Sequence, residues 1–255
     1  SDSSGGAGIQ ADLKTFSALG VYGASAITAL TAQNTLGVQG VMAVVPEFVG
    51  QQIDSVLSDI RIDAIKIGML ADAGIVQAVR TALDRHAKRP VVLDPVMIAA
   101  SGDPLLRDDA VEALTRLLLP QADIITPNLH EAARLTGQAM ARDENEMLAQ
   151  ARLLLDKGAQ SVLIKGGHGD GPEAVDILVS PEGVQRFSAA RIATRNIHGT
   201  GCTLAAAIAA GLAKGLPMAA AVAAAKDYVT ASISAAQDRR IGGGSGPLHH
   251  FHAWW

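Results

Sequence analysis

Short apolar runs of strand length alternate with helical stripes along nearly the whole chain, and this alternation is what most restricts the fold. Ile65-Lys66-Ile67, Val91-Val92-Leu93, Ile124-Ile125 and Leu163-Ile164 read as strands buried on both faces. Between them, Ile75, Val76, Val79 and Leu83, and then Val111, Leu114 and Leu118, recur at helical spacing. Strands that alternate with helices imply an α/β fold: a mostly parallel central sheet with helices on both faces. The same reading puts a first helix on Ile9, Leu13, Phe16 and Leu19, closed by Gly20. It expects strands over residues 21–30 and 41–45 and a helix that starts at Pro46. Residues 175–179 and 184–187 flank Ser180-Pro181-Glu182-Gly183 as a hairpin. Two Ala-rich helices follow, over about 201–214 and 217–236, and then a flexible Gly-rich stretch, 242–246, before a short tail. With no internal repeat and no long linker, residues 1–255 read as one domain. The chain opens in a Gly-rich loop, and such loops usually follow a strand, so a strand ahead of Ser1 is expected.

Composition narrows the class. Hydrophobic residues make up 49% of the chain but aromatics only 3%, so the core must be aliphatic. The formal charge of −4 argues against a general nucleic-acid binder, which would carry a basic stripe. A lone cysteine, Cys202, cannot form an internal disulfide, and a reducing compartment follows. No apolar run is long enough to span a bilayer, so no membrane partner is expected.

The polar residues fall at informative places. Four strand-like runs lead into Gly68-Met69, Asp94-Pro95, Thr126-Pro127-Asn128 and Lys165-Gly166-Gly167. In open α/β sheets ligands bind beyond the carboxyl ends of the strands, so Asp94, Asn128, Glu131 and Lys165 gather on one rim. Taken singly, Asp94 is a turn former before Pro95, Asn128 and Glu131 are a helix capping box, and Lys165 snorkels from a strand end. Gly199-Thr200-Gly201-Cys202-Thr203 opens a helix, and the free N–H groups there suit an anion, such as a phosphoryl group in transfer. Cys202 at that position is either an inert small hydrophobe or a thiol whose pKa the helix N-terminus lowers. His249, His250 and His252 have no cysteine or acidic partner nearby and read as a packed or solvated tail rather than a metal site. Neither G-x-x-x-x-G-K-[ST] nor a well-placed G-x-G-x-x-G is present, so any ATP site is of another type.

Several segments together resemble the ribokinase superfamily, and within it the bacterial hydroxymethylpyrimidine/phosphomethylpyrimidine kinases of thiamine biosynthesis. The likeness runs through Ser3-Ser4-Gly5-Gly6-Ala7-Gly8-Ile9-Gln10-Ala11-Asp12, Thr31-Ala32-Gln33-Asn34 and Lys66-Ile67-Gly68-Met69. It continues through Asp94-Pro95-Val96-Met97, Thr126-Pro127-Asn128-Leu129-His130-Glu131, Lys165-Gly166-Gly167-His168 and His198-Gly199-Thr200-Gly201-Cys202. The tail His249-His250-Phe251-His252-Ala253-Trp254-Trp255 matches as well. Ile197 stands where the resemblance would place a threonine.

The resemblance implies a ribokinase-like three-layer sandwich and ATP with Mg2+. It implies phosphorylation of 4-amino-5-hydroxymethyl-2-methylpyrimidine and then of its monophosphate. Cys202 would be the general base, with the backbone of Gly199, Thr200 and Gly201 cradling the phosphoryl group. Gln33, Asp12, Gly8, Met69 and Val96 would hold the pyrimidine. Lys165, Asp94 and Asn128 would meet the nucleotide, and Glu131 with Asn128 would organise magnesium through water. A homodimer in the cytoplasm is implied too, with the first helix and the strand region as interface. Two readings stand beside it: a pyridoxal or pyridoxine kinase of the same superfamily, and a silent vitamin-binding protein.

Overall fold

The computed structural model describes residues 1–97, 106–167 and 171–255. His168, one of the residues that carry the resemblance, lies outside the described residues. Strands β3 (Ile65–Ile67), β4 (Val91–Leu93), β5 (Ile124–Ile125) and β6 (Val162–Lys165) pair in parallel and in chain order. The hairpin β7 (Glu173–Ser180) and β8 (Gly183–Ala190) extends the sheet antiparallel, giving the order β3-β4-β5-β6-β7-β8.

Neighbouring residues on each central strand enter opposite cores, as the two-residue period of a strand requires. Leu93, Ile125 and Ile164 pack with α2 (Pro46–Asp59), α3 (Ala73–Asp84), α4 (Asp108–Leu117), α5 (Leu129–Thr136) and α6 (Glu144–Asp156). Val92, Ile124 and Leu163 pack with α7 (Thr200–Ala213) and α8 (Met218–Ala236), beside Phe16 of α1 (Gly8–Ala18). Three layers result, and the continuous apolar runs of the sequence are explained: both faces of these strands are covered.

Local chemistry sets the ends of these helices. Asp72 caps α3 by accepting the Ile75 N–H at 2.9 Å, and Ile75, Val76, Val79 and Ala82 form its buried stripe. Asp143 caps α6 in the same way through the Glu146 N–H at 2.8 Å. Helix α5 ends on Gly137 at φ 73°, the left-handed turn that glycine takes without strain.

Two expectations need correction. Residues 21–28 form no strand. β1 (Ala29–Asn34) pairs antiparallel with β2 (Gly37–Ala43) in a separate two-stranded ribbon, not in the main sheet. Apolar runs mark strands but do not say which sheet they join, and here a two-residue turn makes hairpin pairing the nearer option. The Gly-rich stretch 242–246 is pinned rather than flexible. Gly244 and Ser245 donate their N–H groups to Thr35 Oγ1 (3.2 Å) and Thr35 O (2.9 Å) at the ribbon tip, and Gly246 O accepts the His198 N–H at 3.0 Å. The histidine tail is packed. His250 lies 3.0 Å from Thr203 Oγ1, and burial lowers its pKa to about 4, so it stays neutral.

Candidate active site

The carboxyl ends of β3, β4 and β6 and the N-terminus of α7 meet at one cavity of about 1020 Å3, and every site residue named from the sequence lines it. Beyond the polar rim the cavity continues into an apolar lobe walled by Leu13, Phe16, Ile53, Val56 and Ile65.

The floor is the start of α7. Gly199 caps that helix at φ 84°, and a Cβ there would overlap the Gly6 carbonyl oxygen. A Cβ on Gly201 would lie 3.2 Å from Lys165 Nζ and 3.8 Å from Asp94 Oδ2, so the helix N–H groups sit directly beside this cation and carboxylate. Lys165 donates to Asp94 Oδ1 at 2.9 Å, and Thr126 Oγ1 donates to the same oxygen at 3.1 Å. Burial works against the Asp94 carboxylate, but Lys165 and Lys66 hold it below its ordinary value. Burial also works against the Lys165 ammonium, and Asp94 and Glu131 hold it above its ordinary value.

Asn128 and Glu131 do form the capping box of α5. Asn128 Oδ1 accepts the Glu131 N–H at 2.9 Å, and Glu131 Oε2 accepts the Asn128 N–H at 2.8 Å. The same carboxylate lies 4.0 Å from Lys165 Nζ. Cap and rim are therefore one structure, and a metal role for either residue would run through water. Among the described residues no cluster of three or more His, Cys, Asp or Glu makes a ready-built metal cage. The Glu131 and Asp94 carboxylates and the Asn128 amide are hard oxygen donors on one cavity wall, and they fit a hydrated magnesium ion that takes its remaining ligands from phosphates.

Burial raises the Glu131 carboxyl to about 7, with Lys165 opposing and Asp94 adding. Its folded pKa thus lies above the unfolded one, so the protonated acid stabilises the fold at low pH and that contribution is lost as pH rises toward and through 7. Glu131→Gln keeps the acceptor for the Asn128 N–H. Without nucleotide, the glutamine protein should match the parent at pH 4–5 and exceed it by about 2–3 kcal/mol at pH 8 in denaturant melts. A difference that does not change with pH would refute the assignment.

On the opposite wall, Lys66 Nζ donates to both oxygens of Asp12 at 3.0 Å, and both side chains are buried. Gly68 makes room for this lysine, since a Cβ there would come within 2.9 Å of Nζ. Burial raises the Asp12 carboxyl and Lys66 opposes it; burial would lower Lys66, but Asp12 and its neighbours hold it above its ordinary value. Gln33 sits on the ribbon with its Oε1 accepting from Thr31 Oγ1 at 2.9 Å, which orients the amide. Met69 and Val96 are apolar wall.

Cys202 corrects a further expectation. Its thiol lies above the ordinary value, not below it. Burial dominates, Asp12 and Asp94 add to it, and Lys66 together with the Gly8 backbone N–H only partly offsets them. The helix N-terminus alone does not decide the titration.

Three cavity residues gain importance that sequence reasoning did not give them. Lys66 read as part of a strand, although a lysine between two isoleucines was itself a signal. Asp2 and His198 carried no sign of their partnership, a 2.8 Å contact across 196 positions.

Comparison with known proteins agrees with this architecture. The family model for phosphomethylpyrimidine kinase matches residues 2–249. The hydroxymethylpyrimidine/phosphomethylpyrimidine kinase of Rhizobium meliloti (strain 1021) is 59% identical over 255 residues, covering 100% of this chain and 96% of that protein. The thiamine biosynthesis bifunctional protein ThiED of Geobacter sulfurreducens is 50% identical over 253 residues, covering 99% of this chain and 51% of that longer protein. The pyridoxal kinase from Staphylococcus aureus, solved in complex with AMP-PCP and pyridoxal, superposes with a TM-score of 0.90 at 34% identity, covering 100% of this chain and 91% of that one. With a ribokinase-like fold and a family match over residues 2–249, the chain belongs to the phosphomethylpyrimidine kinase family.

Proposed function

We propose that this chain, acting as one kinase unit over residues 1–255, phosphorylates 4-amino-5-hydroxymethyl-2-methylpyrimidine and then its monophosphate, with ATP as donor, in thiamine biosynthesis. The observation that carries this reading is the meeting of Cys202, the α7 N-terminus and the Lys165–Asp94 pair at one end of a cavity whose other walls hold Gln33 and Asp12. A flat aminopyrimidine would lie between Met69 and Val96, with its ring nitrogen and amino group paired to Gln33.

In the transfer, the hydroxymethyl oxygen bonds to the γ-phosphorus while the bond to the β–γ bridging oxygen breaks and ADP leaves. The hydroxyl proton passes to the Cys202 thiolate. The N–H groups from Gly199 to Cys202 and the Lys165 ammonium hold the charge of the moving phosphoryl group. A loose transition state asks mainly for positioning and charge stabilisation, so the proton can leave late. Glu131 and Asn128 would hold magnesium through water, with Asp94 near the phosphates, and that ion supplies neutralisation of phosphate charge when bound. The reaction belongs in the cytoplasm, where ATP and a reduced Cys202 coexist. Exposed Val41, Met42, Val45 and Phe48, on the ribbon and the start of α2, suit a homodimer interface.

The test is magnesium-dependent ATP turnover with hydroxymethylpyrimidine and with pyridoxal in parallel, on protein whose mass is read by light scattering. Turnover with the pyrimidine at twice the chain mass of 26.2 kDa is expected. Turnover with pyridoxal alone would move the assignment to a pyridoxal kinase, which the Staphylococcus aureus structure makes the nearest competing reading. Ligand binding without ATP consumption would leave a silent vitamin-binding protein.

A further inference from the structure

Asp2 and His198 have no part in the proposed reaction so far, yet both are buried at the seam between the N-terminal loop and the anion hole. The Asp2 carboxylate gathers that loop. Oδ1 accepts the Ser4 N–H and hydroxyl at 2.8 Å, and Oδ2 accepts the Ala7 N–H at 2.8 Å and the Gly6 N–H at 3.2 Å. Oδ2 also lies 2.8 Å from His198 Nε2, which donates because a carboxylate can only accept. Although burial opposes ionisation, this set of donors keeps the Asp2 carboxyl well below the usual carboxylate range.

Both ends of the pair are joined to the chemistry. His198 is followed directly by Gly199, the cap of α7, and its ring lies so close to Gly6 that a Cβ there would overlap it. On the other side the gathered loop runs into Gly8, which opens α1 at the same cavity that Cys202 lines. Loop and helix start thus meet at two points, Asp2 with His198 and Gly6 with Gly199.

We propose that Asp2 and His198 are positioning residues for phosphoryl transfer, a buried carboxylate–imidazole brace that holds the N-terminal loop against the start of α7 and so keeps the proposed base Cys202 in register with the anion hole. The inference rests on the kinase reading above. Since the brace acts on the reacting geometry rather than on substrate binding, its loss lowers kcat more than it raises either KM.

The experiment compares the full chain with Asp2→Asn, His198→Leu and His198→Gln, the last of which keeps a side-chain N–H for Asp2. Steady-state kcat and KM are measured for hydroxymethylpyrimidine and ATP. The rate of Cys202 alkylation by iodoacetamide is followed against pH without substrates. We expect kcat to fall about 10- to 100-fold in Asp2→Asn and His198→Leu with both KM values within about threefold, since small misplacements at a reacting centre have effects of this size. The alkylation midpoint should shift in both disruptive variants as the surroundings of Cys202 change, and His198→Gln should recover most of both properties. Unchanged kcat and midpoint in the two disruptive variants would overturn the proposal, and so would a raised KM with kcat retained. If Asp2→Asn melts below the assay temperature, the leucine and glutamine variants at 198 decide alone. If the parent turns over no pyrimidine, the kinase reading fails, while an alkylation midpoint unmoved by the variants refutes the brace on its own.

Discussion

Cys202→Ala is expected to lower kcat with hydroxymethylpyrimidine by about 100- to 10,000-fold, the usual worth of a general base. The alanine protein should keep its affinity for ADP, because the thiol serves the hydroxyl proton and not the nucleotide. The pH profile is the sharper test. Burial keeps the parent thiol above its ordinary value, so at neutral pH only a small fraction is thiolate. The parent's kcat/KM should therefore climb from pH 7 into the alkaline range, while the residual activity of the alanine protein should not follow that climb. A parent profile already flat at pH 7 would show that the proton leaves by another route. Activity that survives the substitution would remove Cys202 as base and leave the kinase assignment intact.

Gly199→Ala is expected to cost about 100- to 1,000-fold in kcat, the scale of losing an oxyanion-hole donor. The left-handed backbone at φ 84° adds about 1–2 kcal/mol of strain for any residue with a Cβ. The larger effect is steric. The new methyl would overlap the Gly6 carbonyl, a backbone atom that cannot turn aside, so either the N-terminal loop or the start of α7 must move. Two other glycines provide the contrast. Gly201→Ala would place its methyl 3.2 Å from Lys165 Nζ and 3.8 Å from Asp94 Oδ2, side-chain atoms that can shift slightly, and should lose less. Gly183→Ala, at φ 122° with nothing within 4 Å of the added carbon, should lower the melting temperature and leave kcat alone. Equal kinetic losses at 199 and 183 would mean that general destabilisation, not the anion hole, is being measured.

The parallel sheet was legible because its strands are buried on both faces, and such strands announce themselves as short unbroken apolar runs. The rim followed from the rule that ligands gather at strand ends, and Asp94, Glu131 and Lys165 do meet there. The β1–β2 ribbon was not legible, because periodicity within a strand is silent about its partner. The Gly-rich stretch 242–246 looked mobile for a similar reason: what pins it is Thr35, far away in sequence. For Cys202 the dipole argument predicted the wrong direction of shift, since a helix terminus is visible in sequence and the burial that outweighs it is not. Asp12 was placed in the site without its counterion, because the Lys66 that neutralises it lies 54 positions on.

The brace between Asp2 and His198 joins residues 196 positions apart, and the fastening of Thr35 to Gly244 spans 209. Closing loops of that length carries a chain-entropy cost that local helices and neighbouring strands do not meet. During refolding, the central sheet and its helices can form before residues 2 and 198, or 35 and 244, are brought together. Catalytic competence should therefore return later than helical signal, as a separate slower phase that substitutions in the brace delay and substitutions in the central strands do not.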